Sequence, residues 1–195
     1  MILHVPFLIM QQIFHYAHAA LPNEVTGIGT IKQIGPSDFL VTEVFLPHQK
    51  TNPGFSEFDD GALNNIITDL IAEDPKRASD LRFRWHSHAK GQVFWSGTDN
   101  ADIAEWQAPW VVNLVVNALS NSLARFDMFN PFLITNYPLE VMVDYDYDME
   151  LKKKCFQEVA ERVKPLPIGR SYAIDPRKVC KEDDHVQLQR SGKDF

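Results

Sequence analysis

A chain of 195 residues, 45% hydrophobic and 23% charged, can bury the core of one domain and carry an extension, and nothing in that balance suggests wholesale disorder. Its net charge of -7 comes without a basic block or an arginine-rich arm, which disfavours nucleic acid as a partner. Two isolated cysteines, Cys155 and Cys180, are too few for a disulfide framework or a cysteine-based zinc site and fit a cytoplasmic setting, and neither a membrane span nor a secretory signal is expected: no apolar run is long enough, and the opening MILHVPFLIM lacks a basic flank and is interrupted by Pro6.

The spacing of Ile9, Ile13, Phe14, Ala17 and Leu21 predicts a helix from Pro6 to Ala20, stopped by Pro22. His15 and His18 on it are three apart, but the glutamate-bearing H-E-x-x-H pattern is absent. Glu24 then leads into a strand, Val25 to Ile34, whose Gly27 and Gly29 allow close backbone approach. A lone glutamate at a strand edge is ordinarily just a solvated acid. The turn Gly35-Pro36-Ser37-Asp38 and the run Phe39 to Leu46 complete a hairpin expected to join the core sheet. Pro47 to Asp60 has few periodic apolar residues and reads as a long surface loop of the kind that often serves function. Ala62 to Glu73 is a helix with Leu63, Ile66, Ile67, Leu70 and Ile71 on one face, ended by Asp74-Pro75.

Leu81 to His88 (LRFRWHSH) alternates as a strand, so His86 and His88 leave the same face and Ser87 the opposite one. Two imidazoles so placed can share one ion. After a loop with Gly91, Ser96-Gly97-Thr98-Asp99 opens a helix running through Trp106, and Asp99 falls in its first turn. His86, His88 and Asp99 supply the three nitrogen or carboxylate ligands of a catalytic zinc site, which keeps its fourth position for water. Ser96 and Asp99 also fit the capping box S-x-x-[DE], and paired strand histidines can be plain surface residues.

Trp110 to Leu119 is a near-continuous apolar run expected as a central strand buried on both faces, and three shorter strands follow: Leu123 to Met128, Phe132 to Tyr137, and Val141 to Tyr147. Asp144, Asp146 and Asp148 alternate there, but without the glycine and spaced glutamate of a calcium loop they are taken as a half-exposed strand end. Met149 to Val163 is an amphipathic helix that could pack on the sheet, and Gly169 to Phe195 is a polar tail without periodicity. Trp85, Phe94, Trp95, Trp106 and Trp110 crowd the histidine motif and are taken as packing residues.

Glu24, His86-x-His88 and Ser96-x-x-Asp99, with seven residues between the second histidine and the serine, resemble the signature of the JAMM/MPN metalloprotease family over roughly Pro6 to Tyr147. That resemblance implies an α/β fold, a mixed, curved central sheet flanked by helices and similar to cytidine deaminases, with a catalytic domain at 1–147 and a C-terminal helix and tail at 148–195. It implies Zn2+ on His86, His88 and Asp99, Glu24 as general base, and Ser96 as donor to the oxyanion. The expected reaction is amide hydrolysis after the C-terminal tail of a ubiquitin-like or sulfur-carrier protein, with that protein or its conjugate as partner. A non-catalytic MPN scaffold and a zinc hydrolase acting on a small molecule stand as alternatives, and a zinc deaminase is disfavoured because H-x-E with P-C-x-x-C is missing. The sequence departs from the family pattern at Ala89, where many members carry proline, and the short span from Asp99 to Trp110 leaves Pro47 to Asp60 as the segment able to contribute to a substrate groove.

Overall fold

The computed structural model describes residues 1–106, 108–144 and 149–165. In chain order its elements are β1 (Ile2–Pro6), α1 (Phe7–Ala19), β2 (Thr26–Gln33), β3 (Asp38–Phe45), β4 (Gln49–Asn52), β5 (Phe55–Phe58), α2 (Ala62–Glu73), α3 (Pro75–Ser79), β6 (Phe83–Ser87), α4 (Gly97–Ala104), β7 (Trp110–Val116), β8 (Ser122–Met128), β9 (Ile134–Asp144), α5 (Met149–Arg162) and β10 (Val163–Pro165). Seven strands form a mixed sheet in the order β1-β3-β2-β6-β7-β8-β9, curved until β1 meets β9 and the sheet closes. The expected α/β architecture, a curved central sheet with flanking helices, is the one observed.

The core lies where the apolar alternation directs it. Leu3, Val5, Val41, Phe83, Trp85, Leu114 and Phe126 share one cluster with Ile13, Tyr16 and Ala17 of α1. Tyr16 stacks on Trp85 with ring centroids 5.6 Å apart. On the other side, Ile28, Leu70 and Leu81 gather α2 and Trp106 into a second, smaller cluster. β7 is buried along almost its whole length, between parallel β6 and antiparallel β8, as its continuous apolar run predicts. Ile71, expected on the apolar face of α2, is 49% exposed.

One element is unforeseen and three expectations need correction. The opening residues form β1, which pairs in parallel with both β3 and β9; five residues with Leu3 and Val5 inward are too short a signal to outweigh the apolar run that continues into α1. Residues 47–60 are no irregular loop, since β4 and β5 make a hairpin and β10 adds to β4 in parallel. Tyr137-Pro138 does not divide two strands. β9 runs through Pro138, which sits beside a register shift against β8 and outside the stretch Glu140 to Asp144 paired with β1, a position where a missing N–H is tolerated. Finally, α5 packs on α1 instead of on the sheet, with the Tyr16 hydroxyl donating to the Glu158 carboxylate. Burial pushes the Cys155 thiol on α5 up to about 12, which makes it a packing residue. Asp146, Asp148, Cys180 and the tail from Gly169 lie outside the described residues.

Gly27 permits the closest of these contacts. A Cβ there would stand 2.3 Å from the Trp85 ring, inside the strand pair that carries His86. Gly27→Ala is therefore expected to destabilise the fold by about 1–3 kcal/mol in urea unfolding, the ordinary penalty for overpacking.

Candidate metal centre

His86 is the penultimate residue of β6 and His88 follows the strand directly, its N–H bonded to the Val116 carbonyl at 2.9 Å. Period two then places both imidazoles on one face, as the sequence requires. Ser87 points the other way and does a different job: its Oγ accepts the Val25 N–H at 3.0 Å, and its own N–H donates to the Val25 carbonyl at 2.8 Å. These bonds clasp the residue after Glu24 to the histidine strand.

Asp99 comes from α4, which enters the same space because Ser96 caps it. The Ser96 Oγ accepts the Asp99 N–H at 3.1 Å, and Asp99 Oδ2 accepts the Ser96 N–H at 2.7 Å, a complete capping box. Capping fixes the carboxylate's rotamer and leaves Oδ1 turned to His86. His86 Nε2 lies 3.1 Å from His88 Nε2 and 3.2 Å from Asp99 Oδ1, and His88 Nε2 lies 3.6 Å from Asp99 Oδ2. Donor atoms held at about 2.0–2.2 Å from one tetrahedral ion would be separated by about 3.3–3.6 Å, so the two distances from His86 Nε2, to His88 Nε2 and to Asp99 Oδ1, match such edges within about 0.2 Å, and one donor atom from each of the three residues falls within 4.8 Å of the others. His88 Nδ1 sits 2.9 Å from the Gln92 carbonyl. A carbonyl only accepts, so Nδ1 carries the proton and Nε2 offers its lone pair to the centre, the usual outer support of a metal-binding histidine. The residues present fit a divalent ion such as zinc.

Electrostatics agree with that fit. Burial acts to raise the Asp99 pKa, but hydrogen bonds to His86 and His88 and the attraction of His86 hold the carboxyl well below its ordinary range. Burial lowers His86, favouring the neutral ligand form, whereas the bond to Asp99 raises His88. Glu24 lines the same cleft, its N–H held by the Asn52 carbonyl at 3.0 Å. Burial lifts its carboxyl to about 7, opposed by His88 and assisted by Asp99. All five residues named from the sequence, Glu24, His86, His88, Ser96 and Asp99, therefore line one cleft of about 580 Å³.

The sequence family described as prokaryotic homologs of the JAB domain matches residues 9–128, more than half of the chain and the whole of this site. The chain belongs to that family. No curated protein matches it significantly. At family level the JAB domain is that of a JAMM-like hydrolase, and here it retains a His-His-Asp group able to hold a metal ion.

Several features of this JAB domain were not foreseen. Ala89 has φ of +41°, a conformation the pyrrolidine ring of proline forbids, so proline could not stand here with the loop turned as it is. Phe94, expected to pack, is 52% exposed and stands edge-on to His88 at 4.8 Å in the cleft wall. The β4–β5 hairpin supplies another wall through Gly54, Phe55 and Glu57. It is tied to the site by Gln49, whose fully buried amide bonds both the N–H and the carbonyl of Thr26. Behind the site, every guanidinium nitrogen of Arg125 has a partner. Its fork bonds both Asp127 oxygens at 2.7 and 2.6 Å and Asn100 Oδ1 at 2.5 Å, while Trp95 packs 5.0 Å from the guanidinium and 5.8 Å from His86. Asp127→Ala would strand that buried cation, with an expected loss of about 3–5 kcal/mol in urea unfolding.

Proposed function

We propose that this JAB domain is a zinc-dependent isopeptidase or peptidase of the cytoplasm that hydrolyses an amide bond after the C-terminal tail of a ubiquitin-like or sulfur-carrier protein. The observation that carries the reading is the convergence of His86, His88 and Asp99 on one point with a carboxyl of near-neutral pKa, Glu24, in the same cleft. Zinc held by the three ligands would lower the pKa of a coordinated water toward about 7 and polarise the scissile carbonyl.

The chain's own residues supply the rest. Glu24 accepts the proton of the attacking water and returns it to the leaving amine nitrogen as the C–N bond breaks and the C–O bond forms. Ser96 uses its oxygen to accept the Asp99 N–H, which leaves the O–H proton free to meet the carbonyl oxygen as negative charge develops there. β5 is the outer strand of its small sheet and runs along the cleft, so an extended tail can add to its open edge by backbone hydrogen bonds.

The test pairs metal analysis with cleavage of ubiquitin-like fusions. Wild type is expected to hold one zinc per chain and to release the tail, and His86→Ala to lose both. Full zinc content in His86→Ala would refute the ligand assignment. Zinc without cleavage of any fusion would favour a scaffold.

A further inference from the structure

Arg84 has no part in the chemistry above, although it stands two residues before His86 on β6 and leaves the same face of the strand. It lines the cleft, whose wall also includes Phe58, Asp102, Ile103 and its cross-strand partner Asn113. Its guanidinium lies 5.1 Å from the Trp106 ring centroid, and its Nη1 is buried without a hydrogen-bond partner. Asp102 and Asp99 attract it, but among the described residues neither closes an ion pair with it. The contrast with Arg125 is informative: the same protein satisfies one buried arginine with three charge-assisted or amide bonds and leaves the other, in the cleft lining, with a buried nitrogen unpaired. A buried guanidinium nitrogen without a partner is costly, and the group that best fills its planar fork is a carboxylate.

We propose that Arg84 is a carboxylate-binding subsite, taking an acidic group carried by the residue next to the scissile amide. Two residues along a strand span about 6.7 Å, close to the reach from a scissile carbonyl to the side-chain or terminal carboxylate of its neighbour. Trp106 against the guanidinium, with Phe58 and Ile103 in the same cleft lining, gives that group apolar walls, which strengthen the pairing by excluding water. The placement of the scissile bond rests on the amide-hydrolase reading. The anion site itself rests on Arg84.

The test is binding, read by tryptophan fluorescence, to the full-length chain equilibrated with zinc and carrying Glu24→Gln to suppress turnover. Three probes are compared: acetyl-Gly-Asp-amide with a side-chain carboxylate, acetyl-Gly-Asn with a free terminal carboxylate, and neutral acetyl-Gly-Asn-amide. At least one acidic probe is expected to bind about tenfold or more tighter than the neutral one, and the tighter of the two identifies which carboxylate is used. Adding Arg84→Met should reduce that preference to about twofold, any remainder being the attraction of the metal itself. Arg84→Lys, which keeps the charge and fold but not the fork, should lower it severalfold. Equal titrations for acidic and neutral probes, no binding of any probe, or a preference unchanged in both Arg84 variants would overturn the proposal. Because no hydrolysis is measured, a failure of the amide-hydrolase reading would show separately, as wild-type chain that cleaves nothing.

Discussion

Glu24→Gln is expected to lower hydrolysis of a ubiquitin-like fusion by about 10²–10⁴-fold while zinc content stays at the wild-type level. Glutamine keeps the size of the side chain and its place in the cleft but cannot take a proton from water. The pH dependence follows from the same group. Only ionised Glu24 is a base, so the wild-type rate should rise as pH passes upward through its titration near 7, and a bound cation would move that titration to lower pH. Stability moves in the opposite sense. In metal-free chain the Glu24 carboxyl is raised from 4.5 to about 7, so between those values the unfolded chain gives up the proton while the folded chain still holds it. Folded wild type therefore loses stability as pH rises through that window, and above 7 the full cost is present. The neutral amide of the Glu24→Gln variant carries no such cost. Urea unfolding should show the variant gaining on wild type between pH 4.5 and 7, to a plateau on the order of 1–3 kcal/mol once solvent screening of a partly exposed group is allowed for. Identical pH profiles for the two proteins would mean that Glu24 is not held in a desolvated position.

What the sequence discloses, and what it hides, follows from how local each constraint is. His86 and His88 are legible because a strand's period fixes their common face within three residues, and Ser96 and Asp99 because a helix cap has a fixed spacing. Glu24 is different. Nothing near it distinguishes it from a solvated acid, and its place is set by the Val25–Ser87 clasp across 62 residues and by Asn52 on the hairpin. The hairpin itself is hidden for a related reason: Gln49, Lys50 and Asn52 look like loop residues, and what holds β4 is the buried Gln49 amide on Thr26 together with pairing to β10 from beyond α5. Arg84 is the hardest of all, since in LRFRWHSH it reads as the polar half of an alternating strand. Only the placement of Trp106 and of Asp99 and Asp102 on α4 near it turns a solvent-facing position into a cleft-lining one.

The double use of the Ser96–Asp99 pair can be separated by experiment, because the two residues contribute to cap and metal through different atoms. Asp99→Asn keeps an oxygen able to accept the Ser96 N–H, so the cap should survive at a cost of about 1 kcal/mol or less, part of it the lost attraction between a carboxylate and the start of α4. Its metal affinity should nevertheless fall by more than about a hundredfold, since a neutral amide replaces the one anionic ligand of the three; a chromophoric chelator in competition measures this directly. Ser96→Ala should do the reverse. Loss of the Oγ that accepts the Asp99 N–H costs about 1 kcal/mol of stability, and all three ligands remain, so zinc content should hold. Its hydrolysis should drop by about 10²–10³-fold, the usual consequence of removing a donor from a developing oxyanion. Asp99→Asn with full zinc affinity would dismiss the carboxylate as a ligand and leave it a helix cap alone. Ser96→Ala that hydrolyses at the wild-type rate would confine the serine to that same role, and the capping box would then be architecture that happens to border the histidines.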